Sequence, residues 1–317
     1  MLFLHKMPSA SAIPAPQDPA DRLHTPQMGL TVGVFDSGVG GLSVLPSLRR
    51  SLPRARLVYA ADSAHAPYGE RDEAWLQDRS LRIAHFLRSR GAALLVVACN
   101  TATAAALPLL RARHLDCAIV GIEPGIKPAV AQSASRRIGV MATQATLRSQ
   151  RFSRLLAEYA GGAQVTAQGC TGLALAIERG DEARIEALVD QHTAPLRKAR
   201  VDTVVLGCTH YAFARRWIES AMGPGVTLVD TADAVARRAA SLVDDASRPA
   251  PPLEISTPEM PPLASSNGET MNVPDTMKTL KPSEGDLEMW TSASPIDLEA
   301  FALRWLSWSI SAQPLRV

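Results

Sequence analysis

Short, nearly unbroken apolar runs alternate along this chain with longer stretches whose apolar residues recur every three or four positions. The runs GLTVGVF (29–35), RLVYAA (56–61), LLVVA (94–98) and CAIVGI (117–122) predict strands. The pattern restarts with RIGVMAT (137–143), AQVTAQ (163–168), TVVLG (203–207) and VTLVD (226–230). Between them, helical spacing marks LSVLPSLRRSL despite Pro46, residues 73–90, a segment from about Ala102, and residues 147–160. LALAIERG (173–180), residues 182–200, a further helix after TVVLG and residues 233–244 continue the helical series. Strands that alternate with helices at this rate predict parallel sheets with helices on both faces. Their unbroken apolar character fits sheets buried on both sides. The predicted fold is therefore α/β, with two similar domains, each a mainly parallel sheet flanked by helices.

The pattern fails in two places. Residues 1–29 are rich in proline and small residues, and their one lysine follows the apolar residues, so they suit a disordered extension better than a signal peptide. Residues 247–285 are dominated by proline, serine, threonine and methionine without period, which predicts a loop or disordered insert. The segment after it, with LEMWTSASPIDLEAFALRWL, predicts one more strand and an amphipathic helix that dock back onto a domain. The expected division is residues 30–123 plus 233–317 for the first domain and 124–232 for the second.

Charge narrows the functional classes. Lys and Arg total 33 against 31 Asp and Glu, and the arginine doublets are scattered, so no nucleic-acid partner is expected. No apolar run has the length of a membrane span, and no membrane partner is expected. The 4 cysteines lie far apart rather than in a disulfide framework, which suits reduced thiols in a cytoplasmic protein.

Candidate chemistry gathers at strand ends, where parallel α/β sheets bind ligands. FDSGVGG, the Asp62–Arg71 loop, ACNTA and GCTHYA all fall there. Neither glycine-rich nucleotide motif fits DSGVGG, which lacks the lysine of one and the third glycine of the other. A tight turn needing glycine dihedrals accounts for Gly38, Gly40 and Gly41, but not for Asp36 and Ser37 together. Zinc is disfavoured because no C-x-x-C occurs and only Cys208 and His210 are close. A cysteine hydrolase would use one thiol with His210 and leave the other unexplained. Cys117 and Cys170 are expected to be structural, as buried small apolar residues. Cys99 and Cys208 stand in like contexts, one in each half. Two such groups facing one substrate suit inversion at carbon, with a thiolate removing a proton on one face and a thiol delivering one to the other. No cofactor and no metal are then required. A pyridoxal enzyme would need a Schiff-base lysine, and Lys127, between prolines, is a poor anchor.

VFDSGVGGLSVL, YAADSAHAPYGER, VVACNTATA, GIEPGIKPA, GVMATQATLRS and VVLGCTHYAF resemble, in order, the sequence blocks of the glutamate racemases, in the cofactor-independent aspartate/glutamate racemase superfamily. The resemblance implies an active site in the cleft between the domains and interconversion of L- and D-glutamate for peptidoglycan (cell wall) synthesis. It implies Cys99 and Cys208 as acid/bases for the D- and L-enantiomer respectively, with Asp36, His210 and Glu178 assisting. It further implies that Asp36, Ser37, Tyr68, Gly69, Asn100, Thr101, Thr143, Thr209 and His210 contact the substrate. Lys127 also matches a family lysine. Ala212 stands where the family usually has proline, and the two irregular segments have no counterpart in shorter members. Aspartate racemase is the nearest alternative, and a non-catalytic amino-acid-binding protein is the alternative of another class. The oligomeric state stays open, a homodimer being one assembly that fits.

Overall fold

The structure, a computed structural model, describes residues 29–247 and 286–317. Apart from Gly29 and Ser247, the expected extension and insert lie outside those residues. Two sheets organise the fold, and every strand pairing in them is parallel.

The first sheet is built from β1 (Thr31–Asp36), β2 (Arg56–Ala61), β3 (Leu94–Val97) and β4 (Ala118–Gly121) in the order β2-β1-β3-β4. The second contains β5 (Arg137–Ala142), β6 (Gln164–Gly169), β7 (Thr203–Gly207) and β8 (Thr227–Val229) in the order β6-β5-β7-β8. The two orders are the same. The C-terminal strands β9 (Leu287–Thr291) and β10 (Ala312–Pro314) extend the first sheet past β2, with Leu57 opposite Leu287 and Met289 opposite Ala312. β1, β3 and β7 are buried throughout, as their unbroken apolar runs require.

The helices appear in the predicted order, and side chains cap the starts of several of them. In α2 (Glu73–Ser89), Leu76, Ile83, Ala84 and Leu87 are buried along one face, and Asp72 caps the start by accepting from the Trp75 N–H. The helix expected at 147–160 is two helices, α5 (Gln144–Arg148) and α6 (Gln150–Tyr159). Ser149 breaks it by adopting extended backbone and capping α6 through Phe152 N–H. Pro46 lies in the first turn of α1 (Leu45–Ser51), where its missing N–H removes no helical hydrogen bond. The short α4 (Ile126–Gln132) and β10 have no counterpart among the predicted elements.

The remaining helices are α3 (Asn100–Arg113), α7 (Leu173–Glu178), α8 (Glu182–Lys198), α9 (Arg215–Met222), α10 (Ala232–Ser247) and α11 (Pro295–Leu306). α11 comes after a strand of the first sheet yet reaches the second half. Phe301 meets Phe213 edge to face at 5.0 Å, and Arg304 pairs with Glu182 at 2.9 Å. One apolar cluster runs through both halves, joining Val34, Leu42 and Val96 to Leu206, Tyr211 and Phe213. No helix among the described residues is long and apolar enough to cross a membrane.

Candidate active site

Both thiols of interest end the third strand of their sheet. Cys99 lies just after β3 and caps α3, its Sγ accepting from the Ala102 N–H at 3.4 Å. Cys208 lies just after β7 and opens a 3-10 turn, Thr209–Ala212. Both side chains are buried. Their loops are joined by a chain of contacts. The Cys99 thiol lies 3.5 Å from Ser37 Oγ, which donates to Asp36 Oδ1 at 3.3 Å, while Thr209 Oγ1 donates to Asp36 Oδ2 at 2.9 Å. Thr209 is the neighbour of Cys208, and its carbonyl accepts from Ser43 Oγ at 3.2 Å.

On the other side, Cys208 Sγ lies 3.8 Å from His210 Nδ1, and His210 Nε2 lies 2.9 Å from Glu178 Oε1. The same Glu178 oxygen accepts from the Val39 N–H at 2.9 Å, so a carboxylate on α7 holds both the imidazole and the turn after β1. The glycines of that turn serve closeness, which corrects the expectation that their dihedrals explain them. Gly38, Gly40 and Gly41 are not among the glycines with positive φ. A Cβ on Gly38 would stand 1.7 Å from Glu178 Oε1, and one on Gly40 would stand 2.3 Å from His210 Nδ1.

The remaining residues divide between two walls. Thr101 Oγ1 is 2.9 Å from Thr143 Oγ1, which caps α5 through the Thr146 N–H. Gly69 packs on Thr143, since a Cβ there would lie 2.9 Å from the Thr143 Cβ. Tyr68 is buried, and its hydroxyl donates to Asp62 Oδ2 at 2.5 Å. Asn100 is buried, and its Oδ1 has no hydrogen-bond partner among the described residues. A cavity of about 240 Å³ lies where the walls meet, lined by Gly69, Thr143, Cys170, Thr171 and Tyr211 among others. Cys117 is buried, as expected of a structural residue, with its thiol 3.4 Å from the Ala93 carbonyl. Cys170 is buried too, but it also lines this cavity.

Burial governs the electrostatics. It pushes the Cys99 thiol up to about 12, with the Asp36 charge adding to the effect and Cys208 close enough to contribute. Burial likewise raises Asp36 to about 6, against the pull of His210, the Gly38 N–H and Thr209. At His210 burial works to lower the pKa, but hydrogen bonds to Cys208 and Glu178 outweigh it and hold the imidazolium well above its ordinary range. Burial thus favours the neutral thiol at Cys99, while the hydrogen bonds at His210 favour its protonated form.

Sequence patterning misses two participants. Thr146 Oγ1 completes a hydroxyl triangle with Thr143 at 3.0 Å and Thr101 at 3.3 Å, a position signalled only by its N-cap spacing. Tyr59, buried in β2, donates its hydroxyl to the Gly38 carbonyl at 2.6 Å, and no local pattern marks it.

Comparison with known proteins agrees with this architecture. A sequence model of the Asp/Glu/hydantoin racemase family matches residues 34–239. The glutamate racemase of Ralstonia pickettii is 47% identical over 239 residues, spanning 73% of this chain and 84% of its own. That of Herpetosiphon aurantiacus is 50% identical over 215 residues, spanning 67% and 84%. Among solved structures, glutamate racemase RacE1 of Bacillus anthracis superposes with a TM-score of 0.74 at 29% identity, covering 91% of this chain and 98% of that one. The Escherichia coli glutamate racemase superposes with a TM-score of 0.71 at 30% identity, with the same coverage. The chain belongs to the Asp/Glu/hydantoin racemase family, among its glutamate racemases.

Proposed function

We propose that this chain interconverts L- and D-glutamate by a two-base mechanism, with Cys99 and Cys208 as the acid/bases on opposite faces of Cα. The observation that carries the reading is the pair itself. Two buried thiols end equivalent strands of two like sheets, and one chain of contacts through Ser37, Asp36 and Thr209 joins their loops. One thiolate takes the Cα proton while the opposite thiol delivers its own, which leaves the protonation states exchanged for the reverse reaction. The helper groups differ, with Asp36 and Ser37 serving Cys99, and His210 with Glu178 serving Cys208.

The Cα proton of an amino acid is weakly acidic, so the site has to stabilise developing negative charge. Hydroxyls of Ser37, Thr101, Thr143 and Thr209 and the N–H groups in the first turn of α3 suit the substrate carboxylates. The unpartnered Asn100 Oδ1 and the Asp36 carboxylate suit its ammonium. That cation also offsets what burial does to Cys99, lowering the thiol toward the range where it works as a base. Gly69, held on Thr143, and the buried Tyr68 behind it close the mouth.

Substrate then lies between two domains, residues 30–123 with 233–317 and residues 124–232, a division that the sheet memberships support. The Escherichia coli relative was solved with L-glutamate and the activator UDP-MurNAc-Ala, which supports glutamate as substrate. A cytoplasmic role supplying D-glutamate to the cell wall accompanies this activity, without cofactor or metal, and a homodimer is the proposed assembly. The test is optical rotation of L- and D-glutamate with purified protein and no added pyridoxal phosphate, aspartate serving as the control. Loss of rotation with glutamate from both sides is expected. Unchanged rotation with glutamate would sink the reading, and faster loss with aspartate would replace its substrate.

A further inference from the structure

The carboxylate of Asp62 takes no part in the chemistry proposed above, yet it is among the most thoroughly bonded groups in the molecule. It is fully buried at the end of β2, where its backbone N–H donates to the Asp36 carbonyl at 3.0 Å. Arg79, on the buried face of α2, grips it with two prongs, Nε to Oδ2 at 2.7 Å and Nη2 to Oδ1 at 2.6 Å. The Tyr68 hydroxyl donates to Oδ2 at 2.5 Å, and His65 Nδ1 stands 3.0 Å from Oδ1. The third guanidinium nitrogen, Nη1, donates to the Val317 carbonyl at 2.7 Å. Desolvation offsets most of what a buried ion pair contributes to stability, so stability alone is a weak account of this one.

Its position supplies a better account. The loop from Ser63 to Arg71 leaves Asp62, curls round the carboxylate and returns through Tyr68, whose ring meets Trp75 edge to face at 5.3 Å. The next residue is Gly69, packed on Thr143 across the cavity that Pro67 and Glu70 also line. Burial alone would raise Asp62, but the bonds from Arg79 and Tyr68 more than reverse it, so the carboxylate remains charged and the grip persists. We propose that Asp62 and Arg79 are positioning residues, which fix the bend at Tyr68 and Gly69 against Thr143 and so set the shape of the substrate mouth. The proposal rests on the racemase reading for its kinetic consequence and on geometry alone for the loop.

Arg79→Lys keeps the charge and removes the fork, which a lysine cannot reproduce. The KM for glutamate should rise about tenfold while kcat falls less than about threefold, since binding geometry is lost and the thiols are untouched. A smaller fraction of folded enzyme lowers kcat and leaves KM alone, so an unchanged KM overturns the proposal. Tyr68→Phe, a gentler change that keeps the ring, should raise KM about threefold, the loss of one charge-assisted bond. Hydrogen exchange without substrate reads the loop directly. Amides of residues 63–71 should exchange about tenfold faster in Arg79→Lys, and unaltered protection there overturns the proposal too. Wild-type protein run alongside keeps the two readings apart. If it fails to racemise glutamate, the racemase reading falls and the loop amides alone decide the role of Asp62 and Arg79.

Discussion

The two halves share one sheet order and place a cysteine at the same point in it, yet they surround that cysteine differently. Cys99 caps a helix of 14 residues and has a hydroxyl and a carboxylate for neighbours. Cys208 opens a 3-10 turn without capping it and has an imidazole for a neighbour, backed by Glu178. Topology thus supplies the symmetry that mirror-image substrates need, and local side chains break it. Beside Cys99, burial and the Asp36 charge both raise the thiol. The proposed part of the substrate ammonium in lowering a thiol therefore falls on the Cys99 side.

The sharpest way to break the comparison is to remove one thiol at a time. Cys99→Ser and Cys208→Ser should each lower racemisation by about 100-fold or more, measured by optical rotation, because a hydroxyl is too weak an acid for either role. A variant that keeps the wild-type rate removes its half from the mechanism. The enantiomers have equal free energy in water, so kcat/KM must fall by the same factor in both directions for every variant. Unequal factors would expose a side reaction.

Crowding the junction between the halves comes next. Gly38→Ala sets a methyl group 1.7 Å from Glu178 Oε1, and Gly40→Ala sets one 2.3 Å from His210 Nδ1. Each should cost about 10- to 100-fold in kcat, the range for a misplacement near 1 Å, while circular dichroism stays that of the wild type. Full activity in both would mean that the Glu178 and His210 contacts are dispensable.

Asp36→Asn removes the charge beside Cys99 and weakens the bond from Thr209 as well. Burial raises the Asp36 carboxyl to about 6, so in the wild type the charged form, and with it kcat/KM, should be lost as pH falls through that value. The asparagine variant should lose about tenfold in activity at pH 8 and show no acid limb near 6. An acid limb that survives there assigns it to another group. The smallest effect is expected at Thr146→Val, which removes one hydroxyl from the triangle with Thr101 and Thr143 and should lower stability by about 1 kcal/mol in urea unfolding.

How much the sequence disclosed depends on how locally each feature is encoded. A strand buried on both faces must be apolar throughout, so RLVYAA and TVVLG announce themselves at the bounds observed. The polar residues just past the end of such a strand are then candidates for a site. Features that depend on a distant partner stayed hidden. Gly38 is small because of Glu178, and Tyr59 matters through the Gly38 carbonyl, neither of which any local period records. Arg79 looks like one more charged position on an amphipathic helix until Asp62 is seen beneath it. Ser149 splits a helix that periodicity alone would keep whole, because its side chain caps α6.

The central claim is that two different thiols act on the two faces of one carbon, and early-time racemisation in D2O tests it most directly. With either enantiomer as substrate, the product should carry deuterium at Cα while the recovered substrate keeps its protium, since the proton taken by one thiol is not the one delivered by the other. Product that retains the substrate's own protium would mean a single group working both faces, and would contradict the pairing of Cys99 with Cys208.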